Sequence, residues 1–425
     1  MHSSREILLE SDFVSRTRRS LKIFSFALFF CLLASILAGG NLFLNYTFAV
    51  ENGSAEDVFY TPPPKLYDEI YASFSGSADA AVQKMVFDAL PETELLPSAS
   101  ARRQAEKKIG VYVHMNNVAN KTFLAKEIEK LKQLDHPSIL FDVKGSYVYF
   151  NSSSAIAKEN GLIKPLYDLP KIVEQLNSAG IYTIARVIAV KDPQFAFGNP
   201  EVWLTGKYSR EPVPEWVDPT DSEVIEYNRQ IISEIVAAGV DEINLDFIRY
   251  PDKFTSAFLG LTGQQKIQNI TNFVAMAREA IDSQKRDAIL SVDTFAVIPW
   301  EDANQTANAL GQDIRKLADL ADIISPMLYP STFSRDNQKY YLKGTSFEYS
   351  TVYLTLQKYQ RLLGDNAKKL RPWIQGFYTT TKQMRDQIAA VFDAGICGFT
   401  VWDIQNDYSE TYKILGETGI PASCR

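Results

Sequence analysis

The sequence predicts an α/β protein: a (β/α)8 TIM barrel preceded by an N-terminal transmembrane helix and a stalk. Three observations predict it. From residue 109 onward, short apolar stretches alternate with longer amphipathic ones, the pattern of a parallel sheet with helices outside. Eight such pairs follow one another in roughly 300 residues, the length a closed eight-fold barrel occupies. Near the N-terminus lies an uninterrupted apolar run of about the length that crosses a bilayer. A doubly wound open sheet is the rival, but it usually carries a Gly-rich phosphate turn after its first strand. Here the first strand leads into His114-Met-Asn-Asn, which contains no glycine.

Residues 1–22 form a polar leader ending in Arg16, Arg18, Arg19 and Lys22. The apolar run at 23–44 includes Phe24, Phe26, Leu28, Phe29, Phe30, Leu32, Leu33, Ile36 and Leu37. Positive charge before the run predicts a cytoplasmic leader and an exported remainder, membrane-anchored or, if the segment is cleaved as a signal peptide, secreted. Residues 45–108 contain Asn52-Gly-Ser, Pro62-Pro-Pro and Ser98-Ala-Ser and are expected to be a stalk, with a short helical pattern near 80–90. The barrel is then 109–425.

The eight strands are expected at 109–114, 138–143, 181–187, 241–247, 288–295, 322–328, 371–377 and 396–402. Three intervening helices carry start and stop signals. One begins near Asp168 and ends at Gly180, one runs from about Asp221 to Ala238, and one stops at Gly395. In the fourth strand Ile243, Leu245 and Phe247 share one face, Asp246 lies on the other, and Pro251 ends the pairing.

The composition narrows the functional class. With 46% hydrophobic and 22% charged residues the 425-residue chain is an ordinary globular one. A formal net charge of −7, with no basic run beyond the leader, argues against a nucleic-acid partner. The three histidines, His2, His114 and His136, have no metal-ligand spacing, so neither metal nor organic cofactor is expected. Three cysteines make no disulfide framework, although Cys397 and Cys424 could pair in an oxidising compartment.

In a barrel every strand delivers its last residues to one face. Those ends read His114, Asp142 and Lys144, Arg186, Asp246 and Arg249, Asp293, Tyr329, Gln375, Trp402 and Asp403. Such groups must pair with each other, for example Asp142 with Lys144 or Asp246 with Arg249, or meet a polar ligand. Trp203 and Trp216 fall after the third strand, Trp300 past the fifth and Trp402 at the end of the eighth, while Trp373 lies near the opposite end of its strand. Aromatic faces beside hydrogen-bonding groups suit a sugar. Two carboxylates across a sugar-sized gap suffice for glycoside hydrolysis. Asp246 and Asp293, from adjacent strands, are the expected catalytic pair, with Asp142 and Asp403 in reserve. Arg186 and Lys144 are placed to keep a carboxylate ionised.

The series Phe141-Asp-Val-Lys144, Ile184-Ala-Arg-Val187, Lys191-Asp-Pro193, Trp216-Val-Asp-Pro219, Asp241 to Pro251, Ser291-Val-Asp-Thr-Phe295, Asp322 to Pro330, Arg371 to Phe377 and Val401-Trp-Asp403 resembles the DUF4015 glycoside hydrolase domain family over roughly 108–410. The resemblance implies a TIM-barrel glycosidase-like fold. It implies site roles for Asp142, Lys144, Arg186, Asp218, Asp246, Arg249, Asp293, Tyr329 and Trp402. Asp403 stands where the family pattern leads one to expect Asn, and Gly376 where an acidic residue is expected. The expectation is a hydrolase acting on an extracytoplasmic polysaccharide or oligosaccharide, with Asp246 as nucleophile or base and Asp293 as acid. Trp216, Gln375, Trp402 and Asp403 would line its binding surface. The alternative is a non-catalytic glycan-binding or cell-wall scaffold barrel.

Overall fold

Eight parallel strands close into a barrel in the order β1-β10-β9-β8-β7-β6-β3-β2. They are β1 (Ile109–Val113), β2 (Pro137–Lys144), β3 (Tyr182–Ile188), β6 (Glu242–Asp246), β7 (Ile289–Phe295), β8 (Ile323–Leu328), β9 (Trp373–Gln375) and β10 (Phe399–Trp402). Two further strands, β4 (Trp203–Thr205) and β5 (Pro212–Val217), form a separate antiparallel hairpin after β3. This structure, a computed structural model, describes residues 97–425 apart from 209–210, 253–255 and 301–302. The expected leader, the apolar run at 23–44 and the pattern near 80–90 lie outside the described residues. Among the described residues no helix is long and apolar enough to cross a membrane.

Each barrel strand is followed by an outer helix: α2 (Lys121–Leu131), α3 (Leu169–Ser178), α4 (Ser222–Ala237), α5 (Gly263–Asp282), α6 (Ile314–Leu320), α7 (Phe347–Leu363), α8 (Thr381–Asp393) and α9 (Ser409–Thr418). The helix starts follow from side-chain capping. Asp168 accepts from the Lys171 N–H at the head of α3, and Asp221 from the Glu223 and Val224 N–H groups at the head of α4. Thr380 and Gln383 make a reciprocal capping box on α8.

Strand alternation sorts the side chains. Val111, Ile139, Phe141, Val143, Ala185, Val187, Ile243, Leu245, Leu290, Val292 and Val401 pack outward into one apolar cluster with the helices. The other row points inward and is largely polar. At the amino end of the barrel Arg371 pairs with Glu242, Nη1 donating to Oε2 at 2.9 Å.

The segment expected to end the stalk is part of this fold. Ser98 caps α1 (Ala99–Glu106), whose Ala105 packs on Ile289 and Ile323, the first residues of β7 and β8. Arg102 pairs with Asp322 at 2.8 Å, and the Ala105 carbonyl accepts from Arg371 at 3.0 Å. The reason is burial. An open barrel end would leave these apolar and charged groups in water, and one short helix covers them. The domain therefore begins about ten residues before β1. Cys397 and Cys424 form a disulfide that ties the C-terminal residues to the segment leading into β10.

Candidate active site

Register builds the site. Asp142 on β2 is level with Arg186 on β3, and Arg186 is level with Asn244 on β6, so Asp246 stands two residues nearer the carboxyl end. One guanidinium can therefore serve two carboxylates. Arg186 Nη1 donates to Asp142 Oδ1 at 2.6 Å, while its Nε and Nη2 both donate to Asp246 Oδ2 at 2.9 and 2.6 Å. The Tyr112 hydroxyl donates to the other oxygen of Asp142 at 2.6 Å. The Phe247 N–H donates to Asp246 Oδ1 at 2.6 Å, from a backbone with φ of +49°. That left-handed conformation costs an aromatic residue about 1–2 kcal/mol, and it turns the chain so that its N–H meets the carboxylate beside it.

Asp293 on β7 lies one step beyond the pair Leu245 and Val292, beside Asp246. Its surroundings differ. It is 2% exposed, and its Oδ1 accepts from Asn244 Nδ2 at 2.8 Å and Trp373 Nε1 at 2.7 Å. Burial, reinforced by the negative charge of Asp246, pushes its carboxyl well above the usual carboxylate range, against the opposing pull of those two donors and Arg186. Both donors fall on Oδ1, and Oδ2 accepts from neither. Two neighbouring carboxyl groups thus have unlike surroundings: Asp246 is bonded to a cation, and Asp293 is buried away from one.

Aromatic rings frame one side. Trp402 lies 5.8 Å from Tyr329, 5.0 Å from Phe377 and 6.2 Å from Tyr112, centroid to centroid. Gln375 Oε1 accepts from the Ser331 N–H at 3.0 Å, and Asp403 Oδ1 from the Gln405 N–H at 2.8 Å. On the other side the Arg249 guanidinium sits 5.1 Å from the Trp216 ring, 5.3 Å from Phe247 and 4.6 Å from Phe295.

The DUF4015 family pattern, described as "Putative glycosyl hydrolase domain", matches residues 110–408. The chain belongs to the DUF4015 family. This DUF4015 chain carries a glycosyl-hydrolase-like domain, and its fold is shared with a solved glycoside hydrolase domain. The glycoside hydrolase domain of PgaB (BpsB) from Bordetella bronchiseptica is similar over 72% of this chain and 97% of that one, at 14% identity and a TM-score of 0.54. A hypothetical protein from Ruminiclostridium thermocellum is 27% identical over 43% of this chain and 96% of its own, with a TM-score of 0.38. No curated protein matches the DUF4015 chain.

Not every expected residue of the DUF4015 chain reaches the mouth. Lys144 is fully buried, and its ammonium donates to Asp192 at 2.8 Å and to the Ile188 carbonyl at 2.6 Å. A register shift in β2 between Asp142 and Lys144 takes it off the inward row, and it lies 5.0 Å from the Tyr227 ring on α4. It neither pairs with Asp142 nor supports a site carboxylate. Arg249 approaches Asp252 at 3.7 Å instead of pairing with Asp246, because Arg186 already occupies that carboxylate. Asp218 folds its own turn, Oδ1 accepting from Thr220 N and Oγ1 at 2.8 and 2.7 Å. The His114 Nδ1 accepts from the Asn116 N–H at the head of a short helix. Trp203 and Trp300 also turn inward, their N–H groups donating to the Ala196 carbonyl and to Thr355 Oγ1.

Three contributors were missed: Tyr112, Asn244 and Trp373. Each stands two residues before a residue singled out from the sequence, so strand period alone could have found them. The sequence places Trp373 near the opposite end of its strand. β9 is only Trp373–Gln375, so its first side chain already reaches Asp293. Space is tight at Gly376: a Cβ there would stand 3.0 Å from the Trp402 carbonyl oxygen and 3.1 Å from Asp403 Cβ, so an acidic side chain would require these neighbours to give by a few tenths of an ångström.

Proposed function

We propose that the chain is a glycoside hydrolase that cleaves a polysaccharide outside the cytoplasm, tethered to the membrane by residues 23–44. One observation carries the chemical reading: Asp246 and Asp293 are neighbours at the carboxyl end of the barrel in unlike settings, Asp246 bonded to the Arg186 guanidinium and Asp293 buried with its carboxyl pushed well above the usual range, which suits a base or nucleophile and an acid. Asp293 gives its proton to the leaving glycosidic oxygen. Asp246, held by Arg186, attacks the anomeric carbon or takes a proton from the water that does. Around Asp142, Arg186 and Asp246 there are two carboxylates to one cation, which suits the positive charge that develops on the sugar. Trp402, Tyr329 and Gln375 are the surface that holds the ring, with Arg249 and Trp216 on the facing side. The Cys397–Cys424 disulfide favours an oxidising compartment.

The test is to offer the purified chain a panel of polysaccharides and analyse products by mass spectrometry. Asp246→Asn should lower turnover by roughly 10²–10⁴-fold while the fold persists. Unchanged turnover defeats the assignment.

A second reading has its own support. Arg186 satisfies both Asp142 and Asp246, and Asp293 is nearly closed to solvent, as in a barrel that binds glycan without cutting it. Saturable binding of an oligosaccharide that never yields product would favour it.

A further inference from the structure

Among the described residues, the exposed large apolar side chains are Leu166, Phe197, Tyr208, Tyr378 and Ile404. Single exposed apolar residues are ordinary, but their placement here is one-sided. Each lies on a segment between the end of a barrel strand and its outer helix, the face where Asp246 and Asp293 emerge. Phe197 and Tyr208 follow β3 and are 85% and 83% exposed, while Tyr378 follows β9 and is 91% exposed. In the ring order β3 and β9 are four places apart out of eight, so these aromatics belong to connections that leave opposite sides of the barrel.

Both rims connect to the carboxylates. The Tyr378 ring is 5.9 Å from Phe377, which is 5.0 Å from Trp402, and Trp402 adjoins Tyr112, the donor to Asp142. On the other side the Lys207 N–H donates to the Phe258 carbonyl at 2.9 Å, seating the hairpin tip that bears Tyr208. Trp216 of the same hairpin lies 6.1 Å from Phe247, next to Asp246. Tyr378 also holds a φ of +51°, an unfavourable backbone for an aromatic that gains little burial in return.

We propose that a polysaccharide chain lies across the barrel mouth, stacked on Tyr378 at one rim and on Phe197 and Tyr208 at the other, and is cut internally. A site that removes terminal sugars is closed at one end. A mouth with sugar-stacking platforms on both rims leaves both chain ends free to continue into solvent. Each cut adds one water across one glycosidic C–O bond: hydroxyl goes to the anomeric carbon, proton to the leaving oxygen, and one new reducing end appears. This inference rests on the glycosidase reading.

The test separates the two. The full chain in detergent micelles, carrying Asp246→Asn, is run by affinity electrophoresis against carboxymethylcellulose, xylan, glycol chitosan and soluble starch. At least one polymer should retard it. Tyr378→Ala, and separately Phe197→Ala with Tyr208→Ala, should each weaken that retardation fivefold or more. Retardation by none of the polymers, or retardation indifferent to either rim, overturns the groove. With the unsubstituted chain, viscosity should fall before monosaccharides or disaccharides accumulate. Small sugars as the first product overturn internal cleavage. Binding that depends on both rims with no product supports the groove and ends the hydrolase reading. Hydrolysis untouched by both rim variants does the reverse.

Discussion

The indole Nε1 of Trp373 on β9 donates to Oδ1 of Asp293 on β7 at 2.7 Å, across the width of β8. A donor aimed at a carboxyl favours its ionised form, so this bond restrains a pKa that burial and Asp246 drive upward. Trp373→Phe should therefore move the alkaline limb of the pH–activity profile to higher pH. The limb reports loss of the Asp293 proton; a shift toward acid, or none, removes Asp293 as the acid.

The same carboxyl sets a pH dependence of stability. Its folded pKa lies above the unfolded value of about 3.9, so the folded state holds a proton the unfolded state has lost. Stability from this group is complete below about pH 4 and declines as pH rises through the folded pKa. Asp293→Asn, which cannot ionise, should melt at the same temperature as the parent near pH 4 and above it at pH 8. Melting curves across that range decide it.

Arg186 is the only guanidinium bonded to both Asp142 and Asp246 among the described residues. Arg186→Met leaves two buried carboxylates without their cation, and should cost about 3–5 kcal/mol at neutral pH. A loss below about 1 kcal/mol in urea unfolding, on the scale of an exposed ion pair, would show that solvent screens the cluster.

Lys266 on α5 is a buried ammonium that donates to the Ala309 carbonyl at 3.1 Å, and burial lowers its pKa to about 8. Below about pH 8 it is charged in both states and the folded chain carries the full desolvation penalty. Between there and the unfolded value of about 10.4 the unfolded state binds the extra proton, so stability rises with pH. Lys266→Met should stabilise by about 2 kcal/mol at pH 7, and the gain should vanish above about pH 10.5. A gain that does not change with pH would mean packing, not charge, is responsible.

Cys397 and Cys424 are 27 residues apart and joined. Opening a loop of that size should cost about 3 kcal/mol. On the proposed extracytoplasmic placement, the domain in cells should resist alkylation by a thiol-reactive maleimide polymer until reductant is added; prompt labelling of both thiols would place it in a reducing compartment.

Much of this was legible from local pattern. The alternation in β6 separates Ile243 and Leu245 from Asp246, and the capping residues Asp168, Asp221 and Thr380 mark helix starts, because hydrogen bonds to neighbouring backbone need only short-range order. Pairing was not legible. Asp142 is two residues from Lys144 and Asp246 three from Arg249, and nearness in sequence suggested those pairs. The structure hands both carboxylates to Arg186, 44 and 60 residues away.

The sequence by itself determined that eight strands would bring Asp142, Arg186, Asp246, Asp293 and Trp402 to one end of a barrel, since side-chain direction follows from strand period. Only the tertiary structure decided that a shift in β2 withdraws Lys144, that α1 closes the amino end, and that Trp373 reaches Asp293. Those outcomes depend on which strand lies beside which and in what register, and that is a property of the closed sheet rather than of any one segment.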